Sequence, residues 1–128
     1  MKYGYERNLK MGMDAAEEKV RATLQSQGFG ILTEIDVKST FKKKLNIDFK
    51  PYKILGACNP NIAFQALSEE LEIGLLLPCN VVIWGNDDDT VTVSAIDAKK
   101  MLSVTGRDDL EELSAQVNNS LRAAIDAI

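Results

Sequence analysis

The stretch YKILGACNPNIAFQALSEELEIGLLLPCNVVIW, residues 52–84, decides the fold. Its start, Tyr52–Cys58, is short and mostly apolar, which predicts a buried strand. Asn59 is a favoured N-cap and Pro60 suits the first helical position, so a helix begins there. The near-apolar run Leu75–Trp84 predicts the next strand. Two strands joined by a helix are typical of a right-handed parallel crossover, and we expect one here.

Toward the N-terminus, the chain alternates between predicted strands and helices. Tyr3–Asn8 places aromatic residues at alternate positions, as in a short strand. Phe29–Val37 alternates apolar and acidic side chains, which predicts a half-buried strand, and a short helix follows from Ser39 or Thr40. Between these two strands lies a predicted helix that ends at Gly28 and has apolar residues at Ala16, Val20 and Leu24.

Toward the C-terminus, the pattern predicts a hairpin and then a long helix. Val91–Ala95 alternates and returns after a turn at residues 85–89, and Asp97 caps a short helical turn. The last segment has the apolar spacing of an amphipathic helix lying on the sheet, with Leu110, Leu113, Val117, Leu121, Ala124 and Ile128 on one side. We therefore predict one domain over residues 1–128, of the α+β or α/β class. The element order β-α-β-(α)-β-α-β-β-α predicts a mixed sheet of about four to five strands covered by helices.

Composition and charge exclude several classes of function. The 128 residues are 45% hydrophobic and 27% charged, as in ordinary globular domains. The apolar runs are strand-sized and residues 1–10 lack the apolar core of a signal peptide, so we expect no membrane span and a cytoplasmic location. A net charge of −4 argues against nucleic-acid binding. Because the chain has no histidine, it contains neither a Ser-His-Asp triad nor a histidine-based zinc site.

Cys58 and Cys79 are the residues best suited to chemistry. Cys58 lies at a strand-to-helix junction, where free N–H groups and the helix dipole would stabilise a thiolate. If the crossover puts Cys79 on the neighbouring strand, the two thiols could form a disulfide or share a soft metal ion. Simple packing is the plainest alternative, because free cysteine is among the most buried residue types. The chain has no CxxC motif, which excludes a thioredoxin-like site.

Five polar residues are candidate ligand-binding groups: Glu34, Asp36, Lys44, Asn59 and Asn80. Alternation puts Glu34 and Asp36 on one strand face, where two carboxylates could shift each other's pKa. An ion pair of either carboxylate with Lys44 is the plainer interpretation. Asn59 could satisfy a helix N–H group, and the helix start beside it suits an anionic ligand. Asn80 could hydrogen-bond a ligand or close a turn at the end of a strand.

The motifs in these segments resemble those of the domain of unknown function 302 family. They are EID at Glu34–Asp36, CNP at Cys58–Pro60 and LLPCN at Leu76–Asn80, with a Lys-Leu step at Lys44-Leu45. The resemblance runs from about residue 28 to residue 102 and more loosely through the first helix. It departs from the expected pattern at Ala98, where we would expect a proline after the Asp97 cap. The resemblance implies a compact α/β fold that associates as a homodimer, and it implies no established reaction.

The sequence favours a small homodimeric binding module, for a small ligand or a protein partner, over an enzyme. One alternative is a thiol-redox or sulfur-handling protein in which Cys58 reacts and Cys79 resolves. Another is soft-metal binding through the same two sulfurs, which makes a soft metal ion the one cofactor that these residues suggest. The aromatic residues Phe64 and Trp84 need no role beyond core packing.

Overall fold

The structure is a computed structural model that describes residues 2–128. Within that range five strands form one sheet in the order β1-β5-β4-β3-β2. The single domain and the α+β class are confirmed. The strands are β1 (Gly4–Leu9), β2 (Gly30–Asp36), β3 (Tyr52–Cys58), β4 (Cys79–Gly85) and β5 (Val91–Ile96). The helices are α1 (Met13–Ser26), α2 (Val37–Leu45), α3 (Pro60–Glu69), α4 (Ala98–Leu102) and α5 (Glu111–Asp126), with 3-10 helices at Leu71–Leu76 and Ser103–Thr105.

The predicted parallel crossover between β3 and β4 is wrong. Every neighbouring pair of strands in the sheet is antiparallel, so the mixed sheet is also corrected. Tyr52 pairs with Trp84 and Ala57 pairs with Cys79, which brings the chain back into the sheet at the end where it left. Residues 59–78, which we call the α3 excursion, therefore act as one long hairpin connection. The predicted start of β4 at Leu75 is wrong because Leu71–Leu76 forms a 3-10 helix.

One face of the sheet is covered by helices, chiefly α1 and α5. Tyr5 Oη donates a hydrogen bond of 2.8 Å to the Asp126 carboxylate. Arg7 Nη1 donates to the carbonyls of Ile125, Asp126 and Ile128 at 3.2, 3.0 and 2.7 Å, where its positive charge suits the C-terminal end of the helix dipole. The largest fully buried side chains of the structure are Leu24, Leu55, Ile73, Ile83, Leu121, Ile125, Val20, Val81 and Val93.

A buried polar link joins α4 to α5. Asn118 Oδ1 accepts the N–H of Ala98 at 2.7 Å, and Asn118 Nδ2 donates to Asp97 Oδ1 at 3.0 Å. Partial burial alone would raise the pKa of Asp97, but hydrogen bonds from Asn118 and from the N–H groups of Lys100 and Lys99 lower it. Asp97 therefore caps α4 as a carboxylate, as its position before the helix predicts.

The strand β2 lies at an edge of the sheet and is more exposed than its sequence predicts. Phe29 just before it is buried, but Ile35 is 48% exposed, so the expected half-buried face ends early. The register shifts between Ile31 and Thr33, which leaves Leu32 as an extra residue with 68% of its surface exposed. Because of the bulge and the edge position, the side chains in the second half of β2 are not part of the core.

Candidate functional site

The two cysteines lie at the two ends of the α3 excursion. Cys58 ends β3 and Cys79 begins β4, so the excursion leaves and re-enters the sheet beside its thiols. Cys58 is half-buried and Cys79 is 7% exposed. Both line one cavity of about 30 Å³ whose walls are almost entirely apolar. Cys79 lies opposite Ala57, and successive residues of a strand point to opposite faces of the sheet, so a joint role of the two thiols stays a prediction.

The chemistry of the two thiols differs. Neither cysteine forms a disulfide. Cys79 is paired with Ala57, so Cys58 is offset from it by one position and is not in the directly opposed arrangement that brings side chains of neighbouring strands together. Burial, assisted by the negative charge that Cys58 can carry, raises the pKa of Cys79 to about 11. Cys79 therefore keeps its proton at neutral pH, which leaves Cys58 as the candidate for thiol chemistry.

The two asparagines near the cysteines have different surroundings. Asn59 Oδ1 accepts the N–H groups of Asn61 at 3.1 Å and Ile62 at 3.4 Å, which confirms the predicted N-cap. These two donors are already used, so they are not free for the anionic ligand that the start of α3 suggested. Asn80 is exposed on β4 opposite Gly56, and its side chain makes no hydrogen bond within residues 2–128.

The carboxylates of β2 take other partners than Lys44. Lys53 Nζ on β3 contacts Glu34 Oε1 at 2.9 Å and Glu17 Oε1 on α1 at 2.7 Å. Arg21 completes this group, with its Nε 2.9 Å from Glu17 Oε2 and its Nη2 3.4 Å from Glu34 Oε1. Hydrogen bonds to Glu17 and then Glu34 raise the pKa of Lys53, so its ammonium stays protonated and balances the two carboxylates together with Arg21.

Asp36 also has a local structural role. Its side chain accepts the N–H of Ser39 at 2.9 Å and so caps α2, as expected for an acidic residue before a helix. Lys44 is exposed in the last turn of the same helix. The predicted pairing of Lys44 with Glu34 or Asp36 is therefore replaced by the pairing of Glu34 with Lys53 and Arg21. Lys53 was missed because an isolated lysine in an apolar strand gives no sequence signal.

The sequence-predicted site residues thus form two separate groups. Asn59, Asn80 and the two cysteines lie toward one end of β3 and β4. Asp36 pairs with Lys53 at the other end of β3. The five residue-to-residue steps from Lys53 to Cys58 span about 17 Å of extended strand. A single pocket that uses all the predicted residues is therefore not formed within one chain.

The other face of the sheet carries a row of aromatic rings. Trp84 and Tyr52 stack with their ring centroids 5.9 Å apart and their planes 7° from parallel. The ring centroids of Phe49 and Tyr52 are 6.3 Å apart. Those of Phe41, on α2, and Phe49 are 5.1 Å apart in an edge-to-face arrangement. Trp84 Nε1 donates to Asn86 Oδ1 at 3.1 Å, so its polar group is satisfied. The predicted core role of Trp84 is corrected, because its ring is part of this row and only half-buried.

This face, which we call the open face, has apolar and uncharged polar side chains on its strands and very few charges. Side chains that alternate with the core residues point there, and in the described part of the chain Glu6 is the one charged residue among its strand positions. The α2 margin adds exposed apolar groups, with Leu45 at 59%, Ile47 at 50% and Phe49 at 39% exposure. Exposed apolar side chains that adjoin one another in this way are typical of interaction surfaces. By register the open-face strand positions are Gly4, Glu6, Asn8, Gly30, Thr33, Ile35, Tyr52, Ile54, Gly56, Cys58, Asn80, Val82, Trp84, Thr92, Ser94 and Ile96.

Residues 2–128 show neither a metal-binding cluster nor a membrane-spanning helix. No group of three or more cysteine and carboxylate side chains in this range is placed to hold a metal ion. The helices of the same range include none that is long and apolar enough to cross a membrane. Soft-metal binding by the two sulfurs alone stays a prediction.

Comparison with known proteins agrees with the resemblance seen in the motifs. A family model described as domain of unknown function DUF302 matches residues 5–128. A crystal structure described as an uncharacterized conserved protein DUF302 from Bacillus stearothermophilus is 27% identical and superposes with a TM-score of 0.92. The match covers 99% of this chain and 98% of that one. No curated protein matches the sequence. The similarity therefore extends beyond the motifs to both ends of the described fold.

Proposed function

The chain belongs to the family described as domain of unknown function DUF302, and from that premise we propose that it is a cytoplasmic homodimeric binding module. Two copies pack through their open faces, and each copy keeps the α3 excursion free for a partner. The observation that carries the proposal is the one-sided covering of the sheet. Helices bury one face of the sheet. The other face has the stacked rings of Tyr52 and Trp84 and, at its edge, the exposed apolar residues of the α2 margin.

Charge supports self-association through this face. When a surface that carries charge of one sign meets a copy of itself across a twofold axis, like charges are brought together. Glu6 is the one charged strand residue of the open face in the described part of the chain, so repulsion between the two strand surfaces is small. The charges at the edge of the face include those of Lys42, Lys43 and Lys44 in the α2 margin. Of these, Lys42 pairs with Asp48. The threonine, serine and asparagine side chains of the open face can act as both donor and acceptor, which suits a self-complementary interface.

The state of the cysteines supports a cytoplasmic location. Both thiols are free, and proteins of oxidising compartments commonly use their cysteines in disulfides. Cys79 is buried and Cys58 half-buried, so in this proposal both contribute packing around the 30 Å³ cavity. The absence of histidine from the sequence narrows the catalytic groups that an enzyme could use, which favours binding as the function.

The dimer is tested by light scattering coupled to gel filtration. The wild-type protein should have twice the mass of the 14.1 kDa chain. Ile54→Arg places a charge at the centre of the open face and should give a monomer, because an unpaired buried charge is strongly unfavourable. Gln25→Arg adds the same charge to the exposed surface of α1 and is the matched control. A monomeric wild-type protein, or an Ile54→Arg variant that folds and remains dimeric, would refute the proposal.

A second candidate is thiol chemistry at Cys58. It is favoured by the place of Cys58 directly before the N-cap of α3 and by the protonated Cys79 that lines the same cavity. The native protein should then react with 5,5′-dithiobis(2-nitrobenzoate) at one fast thiol. Cys58→Ser should abolish the fast phase and Cys79→Ser should keep it. Two thiols that react only after unfolding would contradict this function.

A further inference from the structure

The outer surface of the α3 excursion carries exposed apolar side chains. Phe64, Leu71 and Leu75 are 75%, 85% and 79% exposed. Val104 of the neighbouring 3-10 helix is 76% exposed. Single exposed apolar residues are ordinary on protein surfaces, but an adjoining group of large ones marks a site of interaction. We call these four residues the α3 patch.

The predicted core role of Phe64 is corrected by the way α3 packs. Its buried positions are Ile62 and Ala66, which face the cysteine cavity. Phe64 is two positions from each, and residues two apart in a helix do not share a face. A phenylalanine held on the outer surface gains nothing from burial within this chain. Its ring is therefore available to a partner.

Three adjoining grooves follow the α3 patch. Their volumes are about 640, 510 and 290 Å³. Phe64 stands in the wall of the first two grooves, and Glu70 lines both the second and the third. Leu71 lines the second groove, and Leu75 and Val104 line the third. The apolar residues thus lie along one continuous track of depressions.

All the charged side chains that line these three grooves are carboxylates. No lysine or arginine lines any of the three in the part of the chain that the structure describes. Arg107 lies beside them and is already bound, with its Nη2 3.0 Å from Glu69 and 2.6 Å from Asp109. Glu70, Glu72 and Glu112 form no salt bridge within residues 2–128. The carboxylates that line the grooves are Glu69, Glu70, Glu72, Asp109 and Glu112.

We propose that the α3 patch binds a positively charged amphipathic helix of a partner protein. An apolar track between helical walls is the geometry that accepts the apolar face of such a helix, with anchor residues one turn apart. The acidic rim selects lysine and arginine on its flanks. This inference deepens the proposed binding function and rests on it, but it does not depend on the dimer.

The same charges argue against the other occupants of an apolar surface. A second copy would bring its own acidic rim against this one, and like charges across an interface are unfavourable. An anionic lipid surface and a nucleic acid are both negatively charged, so the carboxylates repel them as well. A cationic partner is the one macromolecule that both the apolar track and the rim favour.

The experiment uses a synthetic probe with the proposed chemistry. The probe is a fluorescein-labelled peptide about four turns long, with leucines at positions i, i+3, i+4 and i+7 and lysines elsewhere. Its control has the same leucines with glutamates in place of the lysines. Fluorescence anisotropy of the full chain should show saturable binding of the lysine peptide, weaker at high salt. The glutamate peptide should not bind.

Three single substitutions test whether the lysine peptide binds at the α3 patch. Phe64→Ser should raise Kd about tenfold, as for an aromatic anchor. Glu70→Lys should raise it several-fold by reversing a rim charge. Leu32→Ser, which removes an equally exposed leucine at the β2 bulge, should leave Kd unchanged. All three changes are on the surface, so the fold should be kept.

Three results would overturn the inference. They are equal binding of both peptides, an unchanged Kd in Phe64→Ser, and an equal loss in Leu32→Ser. Loss of the dimer in Phe64→Ser would also overturn it, because the occupant of the patch would then be a second copy. The monomeric Ile54→Arg variant should bind the lysine peptide like the wild-type protein, so failure of the dimer and failure of the patch are separate outcomes.

Discussion

Cys79 should make the protein less stable in alkaline solution. Burial raises the pKa of this thiol from its ordinary 9.0 to about 11 in the folded protein. Because the folded pKa is the higher one, folding favours the protonated thiol. Its contribution to the free energy of unfolding is complete below pH 9 and is lost as the pH rises toward 11. A difference of about 2 pKa units corresponds to a loss of roughly 3 kcal/mol over that interval.

The perturbation that isolates this effect is Cys79→Ala. The variant loses packing at all pH values, so at neutral pH it should be less stable than the wild-type protein. Between about pH 9 and pH 11 its stability should fall less steeply, because no thiol titrates at this position. The gap between the two proteins should therefore shrink by about 2–3 kcal/mol and can change sign. Lysine and tyrosine titration is common to both proteins and cancels in the difference.

The assay is urea unfolding followed by tryptophan fluorescence in buffers with a reductant, at steps across this pH range. Cys58→Ala keeps Cys79 and serves as the matched control, so it should retain most of the alkaline loss. Wild-type and Cys79→Ala stabilities that stay parallel from pH 8 to pH 11 would refute the reasoning. That result would mean that the thiol of Cys79 is hydrated in the folded protein and that the cavity is open to water.

Two further predictions concern packing and hydrogen bonding. Gly56→Ala should lower the free energy of unfolding by about 1–3 kcal/mol, because the added Cβ would collide with the side chains of Thr33 and Pro78 across the open face; an unchanged urea midpoint would contradict this. Asn118→Ala should cost about 1–3 kcal/mol, because it leaves the buried N–H of Ala98 without its acceptor. The check is thermal unfolding, and a melting temperature equal to that of the wild-type protein would show that water replaces the amide.

Local signals in the sequence predicted most of the strands and helices, but they did not predict the relative directions of neighbouring strands. Asn59 and Pro60 gave the start of α3 to the residue, because N-cap and first-turn preferences depend on the immediate backbone. The direction of β4 relative to β3 was wrong because a strand-helix-strand pattern is the same for a crossover and for a long hairpin connection. Only the return of the chain to Cys79, opposite Ala57, distinguishes the two.

The candidate site was also predicted only in part, because the sequence indicated some of its residues but not their partners or their exposure. The two cysteines were predicted as site residues from residue type and place; both line one cavity, and their role stays a prediction. The ion pair of Glu34 was predicted with the wrong partner, because its actual partner, Lys53, lies on another strand within an apolar run. The exposure of Phe64 was missed because its neighbours in sequence are apolar and helix periodicity alone does not say which side another element covers.

The strand order also has a consequence for how the chain folds. β2, β3, β4 and β5 pair with their sequence neighbours, so these contacts close comparatively short loops. β1 pairs with β5 across most of the chain, with Gly4 opposite Ile96, and loop closure becomes more costly in entropy as the loop lengthens. We expect the four-stranded meander to form first and β1 to add last. The contacts of Arg7 and Tyr5 with the end of α5 would then complete the native state, so substitutions there should speed unfolding more than they slow folding.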